Sequence, residues 1–165
     1  MGAMESMEQA IISGVTHDIS EAKVTIEQVP DRPGVAATVF RDLAEAGVNV
    51  DMIVQNVSTA GHTDISFTVP RTDTPKATHC MEKILVDTEA TGYRTDQHIG
   101  RVSLVGAGMK THPGIAAKMF EVLAAEGVNI EMISTSTIRI SCVVGEDDVE
   151  RAVRGLHAAF DLDKE

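Results

Sequence analysis

Two short loops in this chain have the residue types and spacing to hold a small charged molecule. In the first, Asp31-Arg32-Pro33-Gly34-Val35-Ala36 leads from an apolar alternation into a helical pattern. In the second, Thr111-His112-Pro113-Gly114-Ile115-Ala116 does the same. A helix opening at such a loop presents N–H groups that have no acceptor within the helix, at the positive end of its dipole. A carboxylate fits there without any basic side chain. Nearby, Asn49, Asp51 and Gln55 fall on one side of an alternating run, and Asn129 and Glu131 repeat part of that set. Acids and amides there suit an ammonium and a hydroxyl, so the combination describes a site for a free amino acid. A plainer reading fits equally: Asp31 caps the helix and Asn49 bonds the adjacent turn. Spacing alone leaves both open.

Other chemistries find little support. Gly106-Ala107-Gly108 lies between a strand pattern and a helix pattern, but the third glycine of a dinucleotide fingerprint would fall at Thr111. No phosphate loop of the GxxxxGK[ST] type is present. His17, His62, His79, His98, His112 and His157 are scattered without HxxxH or HxH spacing, so no metal site and no cofactor is expected. No serine or cysteine sits in a nucleophile-elbow context, so no catalytic residue is assigned. Cys80 and Cys142 lack CxxC spacing and read as small buried hydrophobes in a reducing compartment, which points to the cytoplasm.

The elements that must position the two loops emerge from an internal repeat. Asp31 to Ala37 recurs as Thr111 to Ala117, eighty residues later. The match continues through Phe40/Phe120, Leu43/Leu123, Ala44/Ala124 and Gly47-Val48-Asn49/Gly127-Val128-Asn129. It closes with Val50-Asp51-Met52-Ile53 against Ile130-Glu131-Met132-Ile133. Each copy begins with an apolar alternation, Val24, Ile26 and Val29 or Val102, Leu104 and Val105. A proline follows at the expected first helical position. The first helix of copy one has an apolar stripe of Val35, Ala36, Val39, Phe40, Leu43 and Ala44, and that of copy two has Ile115, Ala116, Met119, Phe120, Leu123 and Ala124. Gly47 and Gly127 are the expected stops. A second strand is expected from Val48 to Val57, and a third from Asp64 to Val69, matched by Ile138 to Val144. A helix opening at Asp73-Thr74-Pro75 carries Ala77, Met81, Ile84 and Leu85, and its counterpart carries Val149, Ala152, Val153, Leu156 and Phe160. Copy one ends on a short strand near Tyr93. The order is βαββαβ, an α+β ferredoxin-like unit repeated in tandem.

Copy two runs out of chain before its fourth strand, since only Asp161 to Glu165 remain. The apolar segment Ala10 to Val15 belongs to neither copy and is expected to supply that strand. The domains are then 23–98 for the first and 99–162 with strand 10–16 for the second, with 1–6 as a tag or disordered stretch. Of the 165 residues, 14 are basic and 25 acidic, a net charge of −11, which argues against nucleic acid and anionic membranes as partners. The 43% hydrophobic content supports packed cores, but with 3% aromatics these are thin and aliphatic, suited to two light sandwiches.

These residues resemble ACT domains, the small-molecule-sensing modules of amino-acid metabolism. The carriers are the Asp31-x-Pro33-Gly34-x-Ala36 turn, the Gly47-Val48-Asn49-Val50-Asp51-Met52-Ile53 strand and the βαββαβ order. More specifically, Val54 to Ser58, Thr63 to Thr68, Val102 to Met109 and Ile133 to Ser141 are similar to the regulatory regions of bacterial aspartokinases. The resemblance covers about Ala10 to Leu162.

The resemblance implies an effector-binding chain without a kinase domain. It implies a part in an enzyme that phosphorylates aspartate with ATP on the way to lysine, threonine and methionine, under feedback inhibition. Some such enzymes are α2β2, with a β subunit started internally, and Met7 suits such a start. A catalytic α subunit, a homodimer through the ACT domains and free amino acids are the implied partners. Threonine, with lysine in concert, is the implied ligand, held where copy one of one chain meets copy two of another. Residue by residue, the threonine-type site takes Asp31, Pro33, Gly34, Ala36 and Gln55, with Asn129 and Ile130 from the other chain. The second site takes His112, Gly114 and Ala116 with Asn49, Val50 and Asp51. Thr137 stands where the family commonly has Glu, which removes a carboxylate that a lysine ammonium would meet. A stand-alone sensor acting on another enzyme or a transcription factor is the alternative.

Overall fold

The computed structural model describes residues 12–56, 60–107, 112 and 114–162. Met7, Ala10, Ile11, Val57, Gly108, Thr111, Pro113 and the 1–6 stretch lie outside the described residues. The chain divides into two units, a continuous one from Ser20 to Gln97 and a split one built from the residues before Ser20 and those from His98 onward.

In the continuous unit the order is β2 (Glu21–Pro30), α1 (Val35–Glu45), β3 (Ile53–Gln55), β4 (His62–Pro70), α2 (Thr74–Thr88) and β5 (Gly92–Asp96). In the split unit it is β1 (Ile12–Asp18), then β6 (Ile99–Gly106), α3 (Gly114–Ala125), β7 (Met132–Thr135), β8 (Arg139–Gly145) and α4 (Val149–Ala159). The sheet orders are β3-β4-β2-β5 and β1-β6-β8-β7, all antiparallel. The N-terminal strand thus completes the second ferredoxin-like sheet, with Val15 opposite Leu104 and Thr16 opposite Ser103.

Alternation decides which strand face is buried. Val24 and Ile26 on β2 and Ile65 and Phe67 on β4 pack with Val39, Leu43, Met81 and Ile84 from the two helices. Val102, Leu104, Ile140 and Cys142 meet Met119, Leu123, Ala152 and Leu156 in the same way. Phe40 stands edge-on to Phe67, 5.6 Å between centroids. Behind the apolar rows each central strand pair carries a hydroxyl pair, Thr25–Ser66 at 2.9 Å and Ser103–Ser141 at 2.7 Å. Such pairing removes the cost of burying either hydroxyl alone. Burial also explains Cys142, which is wholly inaccessible and whose thiol is pushed up to about 12. Cys80 is half-buried, and desolvation first, then Asp42, raise its thiol.

The structure corrects four expectations. Pro33 is not the first helical residue: Gly34 is the N-cap, in the left-handed region with φ +90°, and α1 starts at Val35. The second strand of copy one shrinks to Ile53–Gln55, because Asp51 and Met52 both face Thr68 and break the regular alternation. Ala44 and Ala124 are exposed rather than part of the apolar stripe. Phe160 follows the end of α4 as its C-cap.

Asp42 takes the buried position that periodicity did not flag. It is 6% exposed, and Lys83 on α2 reaches its Oδ1 at 3.5 Å. The two helix ends that lead toward Asn49 and Asn129 are built alike. Val48 N–H donates to Leu43 C=O and Gly47 N–H to Ala44 C=O, and Val128 and Gly127 do the same to Leu123 and Ala124. Gly47 and Gly127 have φ +77° and +72°, which completes a Schellman stop in each unit.

Truncating Leu43 or Leu123 to alanine is expected to cost about 2–5 kcal/mol, read from denaturant unfolding. Thiol labelling of the native chain at mildly alkaline pH is expected to spare Cys142, which reacts only after denaturation.

Candidate functional site

The copy-one loop is shaped by backbone bonds. Val35 N–H donates to Arg32 C=O at 3.3 Å, and Asp31 N–H to Gly61 C=O at 2.9 Å. The second bond ties the loop to the turn between β3 and β4, where Ala60 and Gly61 have φ +57° and +81°. Further bonds fix that turn: Thr63 Oγ1 donates to Asn56 C=O at 2.6 Å, and Asn56 N–H to Asp64 C=O at 3.5 Å. Gln55, paired with Ile65, closes β3 directly before the turn. Asp31, Pro33, Gly34 and Gln55 are exposed and Ala36 is half-buried. These five therefore gather at the end of the unit where α1 begins.

Asn49, Val50 and Asp51 lie at the opposite end. They follow the α1 stop, and an 11-residue helix spans about 16 Å. Asn49 and Asp51 also precede β3 instead of sharing its face with Gln55. Within one unit, therefore, no single cluster unites Asn49, Asp51 and Gln55.

The copy-two loop repeats the turn, with Ile115 N–H donating to His112 C=O at 3.1 Å. Ahead of the loop, at the end of β6, Gly106 N–H donates to Ile138 C=O at 2.9 Å, which continues the β6–β8 ladder. Ser136 Oγ accepts from Ile138 N–H at 3.3 Å and from Arg139 N–H at 3.1 Å, which forms the turn that contains Thr137. Gly114 is exposed and Ala116 half-buried, while Asn129 is exposed and Ile130 half-buried at the far end of α3. His112 is half-buried, and neither of its buried ring nitrogens finds a hydrogen-bond partner among the described residues.

No side chain caps α1, so Asp31 does not play the capping role that spacing allowed. The first-turn N–H groups of α1 have no acceptor within the helix, and a helix N-terminus of this kind accommodates an anion. Arg32 turns toward Glu89, 3.6 Å away in an exposed pair. Sequence reasoning missed the bulge before the loop. Gln28, at φ +56°, donates its N–H to Asp64 Oδ1 at 2.9 Å, and the register of β2 shifts between Ile26 and Val29. A left-handed glutamine leaves no trace in a hydropathy pattern. Among the described residues no group of three His, Cys, Asp or Glu could hold a metal ion, and no helix is long and apolar enough to cross a membrane.

Comparison with known proteins agrees with the duplicated fold. The ACT-domain family model matches twice, over residues 24–85 and 102–160. An aspartokinase of Corynebacterium efficiens is 50% identical over 98% of this chain, which spans 39% of that protein's length. The chain thus corresponds to about two-fifths of the curated relatives it matches. The regulatory subunit of aspartate kinase from Thermus thermophilus, in a ligand-free crystal structure, superposes with a TM-score of 0.87 at 38% identity. The match covers 91% of this chain and 99% of that one. A crystal structure of aspartokinase alpha and beta subunits gives 0.86 at 42% identity, with the same coverage.

The left-handed N-cap gives a direct check on the loop. A Cβ on Gly34 would meet nothing within 4 Å, so Gly34→Ala carries only the conformational cost, about 1–2 kcal/mol. Urea unfolding is expected to show that loss; an unchanged midpoint would mean the loop does not hold this conformation.

Proposed function

The chain belongs to the ACT-domain family as a regulatory region of the aspartokinase type, and on that premise we propose that it senses end-product amino acids and relays feedback inhibition to a kinase. The observation that supports this most is the duplicated loop. In the continuous unit the helix opens beyond a Pro-Gly turn that Asp31 N–H ties to Gly61 C=O, and in the split unit Ile115 N–H to His112 C=O repeats the bond that Val35 N–H makes to Arg32 C=O.

In this reading a threonine carboxylate meets the N–H groups at the start of α1, lined by Asp31, Pro33, Gly34 and Ala36. Asp31 receives the ammonium and Gln55 the hydroxyl. Asn129 and Ile130 come from the split unit of a second chain, which makes the bound ligand part of a dimer contact. The second site uses His112, Gly114 and Ala116 with Asn49, Val50 and Asp51. The His112 ring nitrogens, buried and without a hydrogen-bond partner among the described residues, suit it to accept or donate a bond to a ligand. Lysine is the candidate for concerted action, and Thr137 is the position that tunes it.

Regulation follows as a population shift. A ligand that bridges two chains favours the arrangement in which both halves of its site meet, and the partner kinase, an α subunit or a fused domain, responds to that arrangement. A coupling of about 1–3 kcal/mol gives roughly 5–150-fold inhibition. Dissociation constants from micromolar to millimolar correspond to about −8 to −4 kcal/mol, within reach of so small a ligand.

Calorimetry of the chain with L-threonine and L-lysine tests the reading. Saturable heat with threonine is expected, and no response to either amino acid at millimolar concentration would exclude a sensor. Gln55→Ala is expected to weaken threonine binding at least tenfold, the loss of about 1.5–3 kcal/mol, with the fold retained.

A further inference from the structure

We propose that Thr68 is a positioning residue for the effector site, its hydroxyl fixing the backbone that presents Asn49, Val50 and Asp51. The proposal rests on the sensor reading above and adds a residue to it. Thr68 is fully buried on β4 and makes three bonds to the segment just before β3. Asp51 N–H donates to its carbonyl, its own N–H donates to Met52 C=O, and Met52 N–H donates to its Oγ1, each at 3.0 Å. Two residues of one strand thus face a single residue of its neighbour, the arrangement of a β-bulge, which re-aims side chains next to it.

The split unit provides an internal control. There Met132 pairs with Val143 and Glu131 N–H donates to Val143 C=O at 2.8 Å. The backbone arrangement is similar, but Val143 has no hydroxyl to offer. Valine and threonine have nearly the same shape, so packing at this position does not require the hydroxyl. What the hydroxyl adds is a second anchor on Met52, one residue from Asp51. A segment held on both its N–H and its C=O side loses less freedom when a ligand arrives, and binding is tighter for that preorganisation.

The test compares the full chain with Thr68→Val and Thr68→Ser by calorimetry with L-threonine and L-lysine. The Met52 amide is followed by nitrogen-15 NMR. Thr68→Val is expected to stay folded with a lowered melting temperature, because the buried Met52 N–H loses this acceptor, to shift the Met52 amide, and to weaken one of the two classes of amino-acid site about fivefold to tenfold. Thr68→Ser, which keeps the hydroxyl, is expected to restore that affinity. Equal binding by wild type and Thr68→Val, or no rescue by serine, overturns the assignment alone. A Thr68→Val chain that does not fold makes the hydroxyl a purely structural group and also overturns it. A wild-type chain that binds neither amino acid overturns the sensor reading, and this assignment with it.

Discussion

Each unit must assemble four antiparallel strands beneath two helices before it has a core, and about 65–80 residues leave nothing to spare for this. The continuous unit finds its fourth strand in β5, directly after its second helix. The split unit takes its fourth strand from β1, ahead of the continuous unit, through a ladder that runs from Ile12 to Asp18 along β6. The chain therefore begins one unit, builds the whole of the other, and returns to finish the first. Among the described residues β1 is an edge strand hydrogen-bonded to β6, and it adds Ile12 and Val15 to the packing of the split unit's core.

With the sheets complete, the functional geometry follows from turn chemistry. The helix that opens at each loop is fixed at its far end by a left-handed glycine, Gly47 or Gly127. In the continuous unit the near end is held as well, by Asp31 N–H to Gly61 C=O, which joins the loop to the strand hairpin. Surface charge contributes little to this. Arg32–Glu89 and Arg154–Glu150 are exposed pairs, of the kind worth well under about 1 kcal/mol.

Much of this was legible in the sequence, because repetition and hydrophobic period report on cores. The helices, the antiparallel order and the strand that precedes both repeats follow from the apolar spacing of residues such as Val24, Leu43, Leu104 and Val15. Features that depend on a single hydrogen bond between distant residues were not legible. The Gln28 bulge rests on Asp64, thirty-six residues away, and the short β3 rests on the backbone and hydroxyl of Thr68. Asp42 defied the pattern because a hydropathy period does not place a carboxylate inside, nor report that Lys83 of the next helix comes within 3.5 Å of it. For the site, the loops themselves could be read, but not their separation from Asn49 and Asn129 along the helices. That separation is what makes a second chain part of the account.

An amino acid held between two chains, as proposed above, draws them together. Sedimentation velocity of the chain over a dilution series, with and without L-threonine, measures this most directly. A ligand that binds only the dimer must tighten association in proportion to its saturation, so the account predicts a dimer that resists dilution further as threonine is added. An association constant unchanged by saturating threonine would contradict it.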